Sequence, residues 1–293
     1  MLRRLRKWVP FGLLGKSRAV VTVLPLNGVI GPAARFGQGL NLSGLAGAIE
    51  SAFTESGVKA VALSINSPGG SPVQATLIHN RIRQFAEEKN LPVFAFAEDV
   101  AASGGYMLAC AGDQIFADDS SVVGSIGVIS AGFGFTGLME KIGVDRRVFT
   151  AGDRKSMLDP FQEVDEEDVK RLLALQKEVH GAFRDLVKTR REGKLNATEK
   201  RLFSGEFWSG IQAEKLGLID GIGDLRTEMR KRYGDDVRLK VISADRSWFR
   251  GRLTGEVSAS AGGGIGGFRL PVNWADDMLS ALEVRAIWSR FGL

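Results

Sequence analysis

The chain has 293 residues, of which 44% are apolar and 25% are charged, and its formal net charge is +5 at pH 7. It is too apolar to be disordered throughout, and it is long enough for one large core or two small ones. The single cysteine, Cys110, excludes an internal disulfide framework and any cysteine-based zinc cluster. Because Cys110 lies between two alanines in an apolar stretch, we predict that it is a buried core residue.

Positive charge is concentrated at the start of the chain, where residues 1–18 contain six basic side chains and no acidic one. The apolar stretch at residues 8–15 is well short of the roughly 20 residues that a membrane span needs. No convincing cleavage site of a secretory signal is present. A basic segment with Trp, Phe and Leu either lies on an anionic membrane surface or forms a solvated leader, and the sequence leaves both open.

Strand-like and helix-like segments alternate from residue 19 onward. Apolar or β-branched runs predict strands at residues 19–26, 59–65, 92–97, 113–117 and 122–129. Apolar residues at helical spacing, or small residues in an apolar run, predict helices at residues 42–55, 72–88, 101–111 and 164–191. This alternation implies βαβ units, and hence an α/β fold with a largely parallel sheet or β-spiral covered by helices.

The last predicted helix, residues 164–191, is long and amphipathic, with acidic residues in its first turns and basic residues at its end. Its predicted apolar stripe consists of Val169, Leu172, Leu173, Val179, Phe183, Leu186 and Val187. A Gly-rich linker is predicted at residues 248–267, followed by an amphipathic tail at 274–293. We therefore expect a leader at 1–18, one compact unit at 19–247, and a linker and tail at 248–293. The tail could dock on its own unit, on a neighbouring subunit or on a membrane.

Histidine is a poor candidate for a catalytic base in this chain, which has only His79 and His180, each on a predicted helix. The motifs G-x-S-x-G, H-E-x-x-H and the P-loop are absent. A Ser-His-Asp arrangement needs a histidine close to an elbow-type serine. Both histidines are therefore interpreted as surface or core-edge residues.

Ser103 is the candidate nucleophile, in a segment where a serine follows a strand and two glycines open an apolar helix (VAASGGY, residues 100–106). At a helix N-terminus, backbone N–H groups and the helix dipole favour an oxyanion near the serine hydroxyl. Glycines at 104 and 105 would let a substrate carbonyl approach the backbone closely. The alternative is a serine that only caps the helix, with glycines chosen for packing.

A second glycine motif, NSPGG at residues 66–70, also follows a predicted strand. The ends of neighbouring parallel strands are where ligands usually bind in such sheets. Gly69 and Gly70 are therefore expected to bind substrate, and the N–H groups of Gly70 and Gly104 would form a two-sided oxyanion hole. An ordinary Pro-Gly turn is the alternative.

Lys155, in the segment at residues 150–160, is the candidate general base. A lone lysine is usually a solvated surface group. When a lysine is buried, however, desolvation lowers its pKa, and the neutral amine can then accept a serine proton.

Five segments resemble the protease IV, or signal peptide peptidase A, family of bacterial peptidases: NSPGG (66–70), AASGGY (101–106), GSIGV (124–128), AGDRKSMLDPF (151–161) and SGIQAEKLGLIDGIGDL (209–225). They occur in the family's order, and the resemblance covers roughly residues 20–235. It implies a crotonase-like and Clp-protease-like α/β fold of repeated ββα units, without metal or cofactor. It also implies that Ser103 attacks the peptide carbonyl while Lys155 accepts its proton.

The same resemblance implies what the protein acts on and how it assembles. Substrates would be unfolded or membrane-derived peptides, such as cleaved signal peptides, and copies of the chain would form a ring of eight. Extended peptides would pair with strand edges near Gly69 and residues 124–128. Ser125 is the candidate for orienting Lys155. No nucleic-acid partner is expected, and the protein would lie peripherally at the bacterial inner membrane or in the cytoplasm.

Two features depart from the family's pattern. Members commonly have an N-terminal signal or anchor, whereas this chain begins with a short basic leader. The segment around Lys155 also departs, at residues 153–154 and 157–159, where small or glycine-containing variants are frequent in the family. Arg154 is electrostatically unfavourable beside Lys155 unless it points away, although a nearby cation would also lower the lysine pKa. Two alternatives to a peptidase are an acyl-CoA enzyme of the crotonase type and a catalytically silent membrane scaffold that uses Trp288 and Phe291 in the tail.

Overall fold

The computed structural model describes residues 18–31, 39–243 and 285–292. The strands in these ranges are β1 (Val20–Asn27), β2 (Val58–Ser67), β3 (Val93–Ala102), β4 (Gln114–Ala117), β5 (Val122–Gly124), β6 (Phe207–Ser209), β7 (Gly221–Ile222) and β8 (Arg238–Val241). The named helices are α1 (Leu42–Thr54), α2 (Pro72–Lys89), α3 (Gly104–Ala109), α4 (Thr136–Ile142), α5 (Glu166–Arg190), α6 (Glu199–Leu202), α7 (Gly210–Lys215) and α8 (Leu225–Tyr233). The predicted linker and nearly all of the predicted leader lie outside the described residues.

The strands form one sheet in the order β6-β5-β3-β2-β1-β8, and β4 pairs with both β3 and β7. Every pairing is parallel except that of β5 with β6. The central strands β2 and β3 are apolar on both faces, as expected for parallel strands covered by helices. Because β2 and β3 run parallel, with Ser67 opposite Ala101, the loops that follow them meet at one edge of the sheet.

Helices α1, α2 and α3 pack on one face of the sheet and build the larger core, to which α5 and α7 also contribute. The predicted helical positions Leu45, Ile49 and Phe53 of α1 are all buried there. Helix α8 covers the other face, where Met229 packs with Phe94, Phe96 and Phe116. The result is a layered α/β arrangement with helices on both faces of the sheet.

Cys110 is fully buried behind α3, which confirms its predicted place in the core. Loss of hydration raises the pKa of its thiol to about 12. We therefore expect native protein to be inert toward Ellman's reagent at about pH 8, and one thiol per chain to react once the protein is unfolded in guanidinium. Rapid stoichiometric reaction of the native protein would show that the α3 region opens easily.

Two elements near the ends of β3 and β5 have boundaries that differ from those predicted from the sequence. The predicted strand at 122–129 ends at Gly124, because Gly124 and Ser125 adopt positive φ angles of 112° and 53°. The predicted helix at 101–111 starts only at Gly104, because Ala101 and Ala102 complete β3. Both differences place a sharp backbone turn where the sequence pattern predicted a regular element.

Residues 130–165, here called the arm, carry many exposed apolar side chains. They include Phe133, Leu138, Ile142, Val144, Phe149 and Val164. The arm has contacts of its own, since the Phe135 and Phe161 rings stack 5.3 Å apart and Arg146 lies 4.7 Å from the Phe161 ring. On the predicted apolar stripe of α5, Phe183 and Val187 are buried, whereas Leu173 is 57% exposed. The arm and the first half of α5 thus leave a continuous stretch of chain with unburied apolar surface.

Candidate active site

Ser103 lies at the turn between β3 and α3 with φ 53° and ψ −121°. A non-glycine residue in this region is strained, and such strain is typical of serine nucleophiles on a strand-to-helix turn. The turn is held by its backbone: the Ser103 N–H donates to the Gly124 carbonyl at 2.8 Å, and the Tyr106 and Met107 N–H groups donate to the Ser103 carbonyl. The Ser103 hydroxyl makes no capping hydrogen bond, which excludes the interpretation of Ser103 as a simple helix cap.

Gly70 and Gly104 bring two backbone amides together beside Ser103. The Gly70 nitrogen lies 3.4 Å from the point where a Cβ on Gly104 would lie. Within the described part of the chain, neither amide donates a hydrogen bond to a backbone or side-chain acceptor. Two unpaired N–H groups next to a strained serine are the arrangement that stabilises an oxyanion during acyl transfer.

The glycines of the NSPGG motif are required by close backbone contacts. Gly69 and Gly70 have φ angles of 102° and 140°. A Cβ on Gly69 would lie 2.8 Å from the Gly104 nitrogen, and one on Gly70 would lie 2.0 Å from the Ile30 carbonyl oxygen. Ile30 fixes this loop, because its N–H donates to Gly69 O at 2.8 Å and its carbonyl accepts from Ser71 N at 2.7 Å. The segment is therefore more than an ordinary Pro-Gly turn.

Ser125 lies opposite these glycines, immediately after β5. Its φ is 53°, its side chain is buried, and its N–H donates to the Glu206 carbonyl at 2.7 Å. Gly127 N–H donates in turn to the Ser125 carbonyl at 3.0 Å. A second strained serine at the end of a strand adjacent to β3 faces the same space as Ser103.

Ser103, Gly70, Gly104 and Ser125 all line one cavity of about 930 Å³. Most of its wall is apolar and is contributed by α2, α3 and α5, including Val73, Leu77, Met107, Phe183 and Leu186. The volume and the apolar lining with a few polar groups are typical of a site for an organic ligand.

Lys155 is not brought to this cavity within a single chain. It lies exposed on the arm, and it is not among the residues that line the cavity. The neighbouring Arg154 pairs with Asp168 near the start of α5 at 3.2 Å. Asp168 precedes the cavity-lining His180 by 12 residues of helix, or about 18 Å. One chain therefore assembles the predicted nucleophile and oxyanion hole but leaves the predicted base on an exposed segment.

The sequence prediction missed two residues of the cavity wall, His180 and Arg290. His180 was interpreted as a surface or core-edge residue, and its Nε2 atom is buried without a hydrogen-bond partner among the described residues. The amphipathic pattern of the tail predicted that this segment docks on another surface. The pattern could not show that Arg290 would line this cavity. His79, interpreted in the same way as His180, is instead buried, and loss of hydration lowers its pKa.

No helix in the described ranges is long and apolar enough to cross a membrane. No cluster of three or more His, Cys, Asp or Glu side chains in those ranges could hold a metal ion.

The chain is similar to proteins of known families. A sequence model of peptidase family S49 matches residues 85–238. The putative protease slr0021 of Synechocystis sp. is 34% identical over 204 residues, which are 67% of this chain and 72% of that protein. The putative signal peptide peptidase SppA of Enterococcus faecium is 30% identical over 230 residues, or 77% of this chain and 64% of that protein.

A more similar relative carries a different name. The Na(+)/H(+) antiporter NhaA of Brucella abortus is 51% identical over 282 residues, which are 95% of this chain. The chain spans 38% of the length of that protein. This sequence therefore matches less than half of the protein that carries the antiporter name.

A solved structure shares the fold. A mutant of the 1510-N membrane-bound stomatin-specific protease has a TM-score of 0.50 at 16% identity, covering 78% of this chain and 99% of that one. This likeness, together with the observed parallel sheet, confirms the predicted α/β fold class.

Proposed function

The chain belongs to peptidase family S49, and from that premise we propose that it is a serine endopeptidase with Ser103 as nucleophile. The observation that carries the proposal is the strained, uncapped Ser103 beside the free amides of Gly70 and Gly104. Membership of a peptidase family disfavours the acyl-CoA alternative, which also has no use for an activated serine.

The proposed reaction proceeds through an acyl-enzyme. Ser103 Oγ attacks the carbonyl carbon of the scissile peptide bond while the neutral amine of Lys155 takes the hydroxyl proton. The carbonyl oxygen becomes an oxyanion that accepts hydrogen bonds from Gly70 and Gly104. The C–N bond then breaks, and Lys155 gives the proton to the leaving amine. Lys155 next deprotonates a water molecule, whose attack on the ester releases the acid and restores Ser103.

We propose that the Lys155 of this reaction comes from a second copy of the chain. Support comes from the exposed position of Lys155 on the arm, and from its absence among the residues that line the cavity. The arm also exposes Phe133, Leu138 and Phe149, at 81%, 54% and 92%, and apolar surface of this extent favours association. A contact of one copy's arm with the next copy's cavity is heterologous, and repeated by rotation it closes a ring. Eight copies, as the family resemblance implies, remain part of the proposal.

Apolar, extended peptides are the proposed substrates, including membrane-derived peptides such as cleaved signal peptides. The apolar cavity wall supports this class. Beyond β5, the chain at Val128 and Ile129 lines the cavity and is 37% and 66% exposed at these side chains. That segment is free to pair with a bound peptide by strand addition, which fixes the main chain and leaves specificity to side-chain contacts. In the proposed location the protein lies at the inner membrane surface or in the cytoplasm.

A serine-directed phosphonate probe tests the nucleophile directly. We expect an adduct on Ser103, mapped by mass spectrometry, because the strained serine lies beside two amides that can bind the phosphonate oxygen. The adduct should be absent from Ser103→Ala and strongly reduced in Lys155→Ala. Folded protein with no adduct at any pH would reject the peptidase and favour the scaffold.

A further inference from the structure

A short helical turn near the C-terminus, residues 285–289, lies against the cavity that contains Ser103. Ile287 and Arg290 both line this cavity. The segment is attached through Phe291, whose ring meets the Phe207 ring edge-on at 5.3 Å. Phe207 belongs to β6, and it pairs with Gly124 immediately before Ser125. The C-terminal segment therefore contacts the strand that borders the proposed site.

This segment forms a wall of the cavity and does not fill it. About 930 Å³ of space remains with Ile287 and Arg290 in their positions. That volume lies within the range of cavities that hold organic ligands. The segment is thus placed to contact a bound peptide without displacing it.

Arg290 has the one permanently charged side chain in the cavity wall, since the other lining residues in the described part of the chain are apolar, small, hydroxyl-bearing or histidine. No carboxylate of the described residues forms an ion pair with its guanidinium. Its nearest aromatic ring is that of Phe291, 6.0 Å from the guanidinium carbon. Because no described carboxylate neutralises it, the Arg290 guanidinium can bind a carboxylate at this apolar cleft through paired N–H donors.

We propose that Arg290 sets the substrate preference of the cleft by pairing with a carboxylate of the bound peptide. The occupant is an otherwise apolar peptide that carries a carboxylate, either an Asp or Glu side chain or its own C-terminus. The inference rests on the proposed peptidase function for the identity of the ligand. A lysine at the same peptide position would be disfavoured by like charge.

Binding to the full chain carrying Ser103→Ala tests the inference without turnover. The probes are dansyl-labelled decapeptides of Ala and Leu in which one residue is Gln, Glu or Lys, moved along the peptide, with either an amide or a free acid at the C-terminus. We expect roughly fivefold tighter binding of the Glu peptide than of the Gln peptide over one or two adjacent positions. A free acid that binds more tightly than the amide would instead identify the C-terminus as the carboxylate source.

Variants of Arg290 show whether the preference for a Glu peptide depends on the charge of this side chain. Arg290→Gln should bring the Glu-to-Gln affinity ratio to about one, and Arg290→Glu should reverse the preference toward Lys. Arg285→Gln is the matched control, because Arg285 is exposed on the same turn and does not line the cavity. The ratio should also fall as salt is raised.

Three results would overturn the inference: equal binding of all peptides, no binding of any, or a Glu preference that survives in Arg290→Gln. Failure of the proposed function is a different result. In that case the chain with Ser103 intact would leave every peptide uncleaved while the Arg290-dependent preference in binding persisted.

Discussion

A mixture of Ser103→Ala and Lys155→Ala copies should be active although each variant alone is inactive. If Ser103 of one copy uses Lys155 of the next, a site needs an intact serine in the first copy and an intact lysine in the second. This combination arises where a Lys155→Ala copy, which keeps Ser103, is followed by a Ser103→Ala copy, which keeps Lys155. Random assembly of equal amounts makes about a quarter of the sites intact. We therefore expect about a quarter of the wild-type rate on a fluorogenic peptide after the two variants are co-expressed or reassembled together.

The control for this experiment is the double variant Ser103→Ala/Lys155→Ala mixed with wild type, in which activity should fall as double-variant copies enter the assembly. Sedimentation should show the same oligomer in every mixture. A rate that stays at the level of the single variants would place both residues of the dyad in the same chain. The arm would then have to fold back toward its own cavity.

Replacing Arg191 by Met should reduce the free energy of unfolding by about 3 kcal/mol, because it removes both donors to the Gly217 carbonyl and one of the two cations that pair with Asp220. Arg191 is 2% exposed. Its Nε and Nη2 atoms donate to the Gly217 carbonyl at 3.0 and 2.8 Å, and Nη1 pairs with Asp220. The adjacent Leu218 carbonyl accepts from the Tyr106 hydroxyl of α3. The pair thus joins the end of α5 to the loop that supports the helix following Ser103.

Urea unfolding at a fixed protein concentration measures this effect, since association would otherwise change the apparent stability. Lys170→Met is the control on the same helix, because Lys170 and Glu167 form an exposed pair that should contribute almost nothing. Equal midpoints for Arg191→Met and Lys170→Met would show that the buried pair adds no stability.

The stability from Asp220 should also depend on pH. Partial burial acts to raise the pKa of Asp220, but hydrogen bonds from Lys194, Arg191 and the Ile115 N–H outweigh it and hold the pKa below its usual range. A carboxyl group whose pKa is lower in the folded than in the unfolded state contributes its full stabilisation of the fold above the unfolded-state pKa of about 3.9. That contribution is lost as pH falls below this value. Arg191→Met should therefore show a smaller loss of stability on acidification than wild type.

The fold class and the two glycine loops of the candidate site could be predicted from local sequence patterns. Period and composition located β1, β2, β4, α1, α2 and α5 within a few residues, because these elements have continuous apolar runs or amphipathic faces. The shorter elements β6, β7, β8, α4, α6, α7 and α8 were not predicted. The glycine motifs marked the loops after β2 and β3, and in a parallel sheet these loops share an edge. Ser103, Gly70 and Gly104 could therefore be placed together from local patterns and a family resemblance.

The folded chain was needed to show which surfaces are covered and which distant segments meet. An apolar stripe predicts that a surface is covered but does not show which segment or which copy covers it. The exposed arm and the exposed first half of α5 were therefore not predicted. The turn at Ser125 depends on a hydrogen bond to Glu206, 81 residues later. Arg290 follows Ser103 by 187 residues and lines the same cavity, next to Phe291, whose ring contacts Phe207. Such contacts depend on the packing of the whole chain, which local periodicity does not contain.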